Sequence, residues 1–309
     1  MRYTKCLLIG CMLLISGCTP VNPIGKSEIS GDTMNIGILH HEENDKTKQK
    51  EKGFIDYLSS RGFDRIKVTY KSKNGLGKSE IDDLFIEQFV NEGVDLIYVI
   101  DKQALHSATA LMKDTEIPLL YSGINESEVN QYQISNMSGV LEEEPLGHQF
   151  STIRSILPEA KTIMVLNDSK MSWDNIQSEA DLHGFTLLQF QSLETIEPIE
   201  EVEIDAYLYL GQEKAESFYE AFKDQNLPMF TNHSESVKLG YTAAITLDDY
   251  AIGSLVGKMS YDVLIEGKPM SELLNNPYVS TSITLNQKEI DALSLVVPDF
   301  ISKKANYMN

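Results

Sequence analysis

Six short segments of the chain combine acidic, amide, hydroxyl and histidine side chains that could bind a small charged solute. Carboxylates could accept hydrogen bonds from an ammonium group, whereas lysine, serine and the backbone N–H groups of helix starts could donate to a carboxylate. The residue types therefore favour recognition of a polar solute such as an amino acid. The segments are HHEEND (40–45), DKQ (101–103), SGINESE (122–128), NDSKMSW (167–173), GQEK (211–214) and TNHSES (231–236).

Single residues in and near these segments suit the separate parts of an amino acid. The predicted acceptors for its ammonium group are Glu43, Glu126, Glu235 and Asp248. The predicted donors to its carboxylate are Lys102, Ser234 and Ser236. The predicted walls against its side chain, which aromatic rings could form, are Tyr121, Trp173 and Tyr250.

Four of these residues have equally ordinary structural roles. Lys102 could pair with Asp101 or another nearby acid on the surface. Asp248 precedes a predicted helix and could cap its first turn instead of touching a ligand. Trp173 could be a partly exposed packing residue, and Tyr121 closes a buried strand and could belong to the core.

Metal and catalytic chemistry are poorly supported by the sequence. His40, His41 and His233 could meet at a metal, but neighbours on a strand point in opposite directions, so we predict no metal site. The GxSxG, HExxH and GxGxxG motifs do not occur. The GLGKS segment (75–79) lacks the glycine that a phosphate loop requires at position 72. Runs of acids such as 142–144 are typical of solvated surfaces. We therefore predict a non-enzymatic protein without a cofactor.

Cys18 has a separate chemistry, attachment of lipid. It follows Ile15-Ser16-Gly17 at the end of a short apolar segment with a basic start, which is typical of a secretory signal peptide. The four residues match the lipobox of bacterial lipoproteins. We predict a signal peptide over 1–17, lipidation of Cys18 and a flexible tether over 18–32, rich in small polar residues, Pro and Gly. The protein would then be anchored to a bacterial membrane on its extracytoplasmic side.

The composition excludes some partners. The chain has 26 basic and 46 acidic residues and a net charge of −20, so we predict no nucleic-acid partner, because binding phosphates needs a basic face. Of the three cysteines, Cys6 and Cys11 lie within the predicted signal peptide. An exported chain that keeps only a lipidated cysteine forms no disulfide. The remaining length suits one large domain or two medium lobes.

The elements that would position these residues alternate between strand and helix. This order is typical of parallel sheets covered by helices, which place ligands at the carboxyl ends of their strands. The first set comprises strands 34–39, 66–70, 94–100 and 118–121 and helices 45–61, 79 onwards (with a capping box of Ser79 and Asp82) and 103–113. The second set comprises strands 162–167, 185–190, 205–210 and 228–231 and helices 143–156, 172–183 and 213–225. The last predicted elements are strand 241–245 and helix 249–266.

Several pieces of the sequence, in order and at near-constant spacing, resemble a known family. The chain is similar to the ABC-transporter substrate-binding lipoproteins whose better-known members bind tryptophan, tyrosine or phenylalanine. The resemblance covers roughly residues 34–295. Its pieces are IGIL (36–39), KGFIDYL (52–58), VDLIYVI (94–100), IPLLYSG (117–123), NMSGV (136–140), ILPEAK (156–161), LPMF (227–230), SVKLGY (236–241) and GKMSYDVLIEGKP (257–269).

The resemblance implies a fold, partners and further site residues. The fold would be that of type 1 periplasmic binding proteins, two doubly wound α/β lobes joined by a hinge of three crossovers. The lobes would be 33–140 plus 248–280 and 141–247 plus 281–309. The partners would be a small-molecule ligand and an ABC permease in the membrane, and we expect a monomer. A ligand-sensing lipoprotein on the same fold, signalling to a membrane receptor, is the alternative.

Site residues carried over from the family are only partly matched. Glu43, Asn167, Ser236 and Asp248 fall where the family has similar residues. Other loops depart from the family's usual sequences, so the cleft chemistry is predicted to differ. The departing loops contribute the predicted ligand-binding residues Lys102, Asn125, Glu126, Gln212, His233 and Glu235.

Overall fold

The structure is a computed structural model that describes residues 33–61, 67–132, 134–169, 171–190, 202–211, 213–273, 275–278 and 280–308. The predicted signal peptide, Cys18, the tether and Gln212 lie outside the described residues. The described chain forms two α/β lobes, each built around its own sheet.

The first lobe contains a six-stranded sheet in the order β11-β5-β4-β3-β1-β2. Every neighbouring pair in it is parallel. Its strands are β1 (Thr33–His40), β2 (Lys67–Asn74), β3 (Leu96–Ile100), β4 (Leu119–Ile124), β5 (Met137–Glu142) and β11 (Asn276–Tyr278). The helices of this lobe are α1 (Asp45–Ser60), α2 (Ser79–Asn91), α3 (Lys102–Leu111), α4 (Glu126–Val129) and α8 (Asp249–Leu264).

The second lobe contains a seven-stranded sheet in the order β13-β12-β10-β9-β8-β6-β7, parallel except for the β10–β12 pair. Its strands are β6 (Thr162–Asn167), β7 (Thr186–Phe190), β8 (Ala206–Leu210), β9 (Met229–Thr231), β10 (Ala243–Leu247), β12 (Thr281–Asn286) and β13 (Asn306–Met308). Its helices are α5 (Leu146–Ile156), α6 (Trp173–Leu182), α7 (Ala215–Phe222), α9 (Gln287–Ala292) and α10 (Asp299–Ser302). Short 3₁₀ segments span Lys223–Gln225, Ser234–Leu239 and Met270–Glu272.

Each sheet has an apolar core on both of its faces, which is why its strands are nearly continuous apolar runs. In the first lobe, Phe89 and Val99 belong to one core and Phe54 and Tyr98 to the other. The second lobe likewise has one core on the α5 and α6 face and another on the α7 face. Among the described helices, none combines the length and apolar character that crossing a membrane requires.

The chain passes from one sheet to the other three times. The passages lie between β5 and α5, between β10 and α8, and between β11 and β12. The predicted α/β fold with two parallel-sheet lobes is thus confirmed. The predicted capping box at Ser79 is wrong: the N-cap of α2 is Lys78, without a side-chain hydrogen bond, and the Asp82 carboxylate bonds to the His41 ring instead.

Candidate functional site

A cleft of about 700 Å³ lies where two of the three passages, β5 to α5 and β10 to α8, join the lobes. Its walls come from the start of α1, from the segments after β4 and β5, from the loop after β6 and from the passage into α8. The described residues that line it are Lys46, Lys50, Gly123, Ile124, Asn125, Ser127, Glu128, Glu142, Glu143, Glu144, Leu146, Ser169, Met171, Ser172, Asn175, Asn232, Thr246, Leu247 and Asp249.

Lys50 is the best-buried charge in the cleft wall, with 7% of its side chain exposed. Its Nζ lies 2.7 Å from the Glu142 carboxylate and 3.4 Å from that of Asp249. The other Glu142 oxygen accepts the Gly123 backbone N–H at 2.6 Å. These side chains, the Lys50 network, connect α1, α8 and the end of β5 beneath the cleft.

Attraction between Lys50 and its two carboxylates offsets the free-energy cost of burying these charges. Burial lowers the pKa of Lys50, but the charges of Glu142 and Asp249 together outweigh it and leave that pKa raised. Burial likewise raises the pKa of Asp249, only partly offset by Lys50. Lys50 therefore stays protonated, and Asp249 is a carboxylate in a poorly solvated place.

Close packing of α1 against α8 brings Lys50 and Asp249 together. A Cβ added at Gly253 would lie 1.8 Å from the Lys50 carbonyl oxygen, and one at Gly53 would lie 1.9 Å from the Tyr250 carbonyl oxygen. Only glycine permits this approach of two helix backbones. Asp248 caps α8 by accepting the Ala251 N–H at 3.0 Å. Asp249 is therefore the first residue of the helix, where its carboxylate faces Lys50.

A second group of charges lies where the first lobe meets the second. Burial raises the pKa of Glu144, which Asn232 of the second lobe opposes through a hydrogen bond and Lys46 through its charge. The pKa of His233 is lowered by burial and further by Lys46, with Glu235 acting in the opposite direction. Although Glu144 meets the water of the cleft, protein surrounds it closely enough to disfavour its charged form.

The loop after β6 forms the second-lobe wall and is held in shape by Asn167. The Asn167 carboxamide oxygen accepts the Ser169 backbone N–H at 3.1 Å and its hydroxyl at 2.6 Å. The Asn167 amide donates to the Met171 carbonyl oxygen at 2.9 Å. Asn167 thus positions Ser169 and Met171 in the cleft wall.

The wall opposite is the segment from β4 into α4. Asn125 caps α4 in a capping box with Glu128. The Glu126 backbone N–H donates to the Glu143 carboxylate at 3.1 Å, which ties this loop to the segment after β5. Glu128 receives the Lys102 ammonium at 2.8 Å from outside the cleft.

Residues 35–308 match the family of ABC transporter substrate binding proteins. The chain belongs to this family. Its members bind substrates rather than transform them, so it is an extracytoplasmic binding protein for a small molecule and not an enzyme. No curated protein sequence matches the chain.

Solved structures share the fold at low sequence identity. An ABC domain from Streptococcus pneumoniae in complex with L-Trp is 21% identical, with a TM-score of 0.64, covering 89% of this chain and 99% of that one. A ligand-free, open substrate binding protein with adhesive properties from Clostridium difficile is 19% identical, with a TM-score of 0.75 and the same coverage. A solute binding protein from Bacillus halodurans with bound myo-inositol is 15% identical, with a TM-score of 0.56, covering 87% of this chain and 96% of that one.

The cleft of this substrate-binding protein includes one of the twelve predicted ligand-binding residues directly, Asn125. Asn167 does not line the cleft, but it holds Ser169 and Met171 in the cleft wall. The backbone N–H of Glu126 donates to Glu143, which lines the cleft. Asp248 caps α8, which is the structural role that the sequence analysis gave as the alternative to ligand contact. None of these observations tests a ligand contact, so the roles stay predictions.

The other predicted residues that the structure describes lie outside the cleft lining. Three are exposed and paired with a neighbour: Glu43 with Lys48, Lys102 with Glu128, and Glu235 with Lys238. Ser236 is buried, and its hydroxyl lies 3.1 Å from the His233 ring. The aromatic candidates lie in the first-lobe core (Tyr121), against the second-lobe core (Trp173) and on the surface beside Asp56 (Tyr250).

Sequence reasoning missed most of the charged cleft residues of this substrate-binding protein. The run Glu142–Glu144, interpreted as a solvated surface, begins with the last residue of β5 and enters the passage between lobes; Glu142 is only 13% exposed. Lys50 carried a signal, because it occupies the same helix face as Phe54 and Leu58, which are both buried. A lysine on an apolar helix face indicates a buried ionic partner.

The three histidines do not converge on a metal. The His40 ring bonds to Glu51 at 2.6 Å, and the His41 ring bonds to Asp82 at 2.6 Å. His233 lies against Ser236 in the other lobe. Within the described part of the chain, no three or more His, Cys, Asp or Glu side chains are grouped so as to hold a metal ion.

Proposed function

We propose that this substrate-binding protein is a lipid-anchored component of an ABC importer that captures a small polar ligand between its lobes and presents the closed form to a membrane permease. The observation that carries the proposal is the cleft of about 700 Å³ beside two of the chain passages, with charged side chains of the first lobe facing polar ones of the second. A cleft of this size suits a small metabolite.

The mechanism that we propose is closure of the lobes about the passages. In an open cleft, a ligand first contacts one wall, and contacts to the other wall form only when the lobes close. Ligand binding shifts the population towards the closed form by the free energy of those additional contacts. Asn125 and Ser127 on one wall face Ser169 and Asn175 on the other, so both sides can donate and accept hydrogen bonds.

Ligand binding is tested by thermal melting of the protein expressed without residues 1–18, against panels of amino acids, amines, nucleosides and sugars. We expect one chemical class to raise the melting temperature. A ligand at one hundred times its dissociation constant stabilises by about 2.7 kcal/mol. If no compound of any panel shifts the transition, the binding function itself is contradicted.

The lipid anchor is tested by growing an expressing bacterium with labelled palmitate. We expect the full-length chain to take up the label and Cys18→Ala to take up none, because the sulfur of Cys18 is the proposed attachment point. Cys11→Ser is the matched control, since Cys11 lies in the predicted signal peptide and its loss should leave labelling intact. Labelling of Cys18→Ala would contradict the proposed anchor.

A further inference from the structure

The cleft carries more negative than positive charge. Five carboxylates line its described part, from Glu128, Glu142, Glu143, Glu144 and Asp249. Only two ammonium groups, those of Lys46 and Lys50, line it with them. An uncharged ligand would leave this imbalance in place.

Most of the available positive charge is already committed. Lys50 is held between Glu142 and Asp249, and Lys102 neutralises Glu128 from outside the cleft. Among the described residues, neither Glu143 nor Glu144 forms an ion pair with a basic side chain, and Lys46 forms none with an acid. One ammonium group outside any ion pair therefore lies with two carboxylates outside any ion pair, and the sum of these three charges is negative. The hydrogen bonds that Glu143 accepts from the Glu126 N–H and Glu144 from Asn232 come from neutral groups and do not neutralise them.

Closure of the lobes increases the free-energy cost of this charge imbalance. Carboxylates that lose water without gaining a partner resist burial, and burial already raises the pKa of Glu144 in the present form. A ligand with positive charge supplies the missing partner, because a charge-assisted hydrogen bond to a carboxylate is about twice as strong as a neutral one. A neutral ligand does not.

The apolar part of the cleft is aliphatic. Ile124, Leu146, Met171 and Leu247 line it, and no aromatic side chain does so among the described residues. Aliphatic side chains of this kind suit a methylene chain, whereas ring-binding sites usually stack the ring against an aromatic wall.

We infer that the cleft selects a small aliphatic solute of net positive charge, bound through ammonium groups to Glu143 and Glu144 with its methylene chain against Ile124 and Met171. The inference rests on the proposed function, because it concerns the ligand of the same cleft. A basic amino acid and a diamine share this chemistry. A basic amino acid would in addition place its carboxylate on Lys46 and the hydroxyls of Ser127 and Ser169.

Four probes separate charge from shape, in calorimetric titrations of the protein expressed without residues 1–18. L-Lysine carries a net charge of about +1 at neutral pH, cadaverine is lysine without its carboxylate, L-norleucine is close to lysine without its terminal ammonium, and L-tryptophan is aromatic. We expect lysine or cadaverine to bind at least tenfold more tightly than norleucine and tryptophan. The preferred cation should also bind more weakly as salt is raised, because exposed charges are screened.

Variants place the contact in the cleft. Glu143→Gln/Glu144→Gln keeps the side-chain shapes and removes two charges, and it should weaken the preferred cation by roughly tenfold or more. The matched control, Glu216→Gln/Glu220→Gln, removes two exposed charges from α7, outside the cleft, and should bind normally. Lys46→Met should weaken lysine, which loses the partner of its carboxylate, and should leave cadaverine bound at least as tightly, because the ammonium of Lys46 no longer competes for Glu143 and Glu144. The opposite signs distinguish the two sources of the cation.

The outcomes separate the inference from the proposed function. Tighter binding of norleucine, tryptophan or another neutral solute would overturn the cationic ligand class and leave the binding function standing. Cation binding that the cleft variant does not weaken, or that the α7 control weakens equally, would also overturn the inference. If none of these probes and no compound of the melting panels binds, the inference fails together with the proposed function.

Discussion

Lys50→Met is expected to lower the free energy of unfolding by about 3–5 kcal/mol at pH 7, the cost of removing one partner from a buried charge network. Methionine retains most of the aliphatic volume, so the loss comes from charge. Without the ammonium, Glu142 and Asp249, which are 13% and 18% exposed, face each other in a poorly solvated wall. Denaturant unfolding monitored by circular dichroism measures the change.

The pH dependence of this variant has a defined sign. Burial already raises the pKa of Asp249 and Lys50 opposes that rise, so without Lys50 the pKa of this carboxyl in the folded state lies still further above that of the unfolded chain. The folded state then binds more protons than the unfolded state at intermediate pH, so stability increases as the pH falls. The defect should therefore be largest at pH 7 and shrink towards about pH 4, where Asp249 of the folded variant is protonated and the unfolded chain has begun to take up its own proton.

Two further variants decide whether the network causes the effect. Lys48→Met removes an exposed lysine two residues away, paired with Glu43, and should not change stability measurably. Adding Asp249→Asn to Lys50→Met removes one of the orphaned charges and should restore part of the loss. Wild-type stability of Lys50→Met across this pH range would show that the Lys50 network does not hold the lobe.

The fold was predictable because its information is local. Strand 162–167 was predicted with the bounds it has in the structure, and β8, predicted as 205–210, begins one residue later. Strands in the middle of these sheets are buried on both faces, so each is a short apolar run between polar turns. The start of α5 was predicted three residues too early, at 143, whereas Pro145 is its N-cap and the helix begins at Leu146.

The elements that were not predicted are short or lie where the sheet is irregular. β11 and β13 have three residues each and lie at the ends of the two sheets, and β12 is the antiparallel strand that follows the last passage. An edge strand packs few side chains into the core, so its sequence has no continuous apolar run. β5, part of NMSGV in the family resemblance, contains Ser138 and Gly139, and a Cβ at Gly139 would lie 2.3 Å from the Tyr121 carbonyl oxygen, so this strand is not a continuous apolar run.

The cleft was predictable as a place and not as a set of residues. Strand-end loops at 122–128 and 167–173 do form its walls, as parallel sheets require. Lys46 and Lys50 lie on a helix rather than in a loop, and they face the cleft only because α1 packs against α8, about 200 residues later in the chain. The local sequence pattern carries no information on that contact, and the acids at and just after the end of β5 were assigned to the surface for the same reason.

Gly253→Ala is the second substitution with a large expected effect. In an unconstrained helix, alanine in place of glycine stabilises by about 1 kcal/mol. Here the new Cβ would lie 1.8 Å from the Lys50 carbonyl oxygen, and a backbone atom cannot turn aside as a side chain can. We expect a loss of about 3 kcal/mol or more, at or above the upper end of the usual cost of overpacking, in denaturant unfolding.

The clash should affect ligand binding as well as stability, because relief requires α8 to move away from α1, and Asp249 in its first turn moves with it. Gly147→Ala in α5 is the matched control: its nearest neighbour is the flexible end of the Glu179 side chain at 3.0 Å, so its stability should be unchanged or higher. If Gly253→Ala proves as stable as Gly147→Ala, the helices do not approach as closely as the structure has them. If Gly253→Ala is stable and also binds ligand normally, the close packing of α1 on α8 is not what sets the shape of the cleft. The Lys50 network, which depends on that packing, would then have no influence on ligand binding.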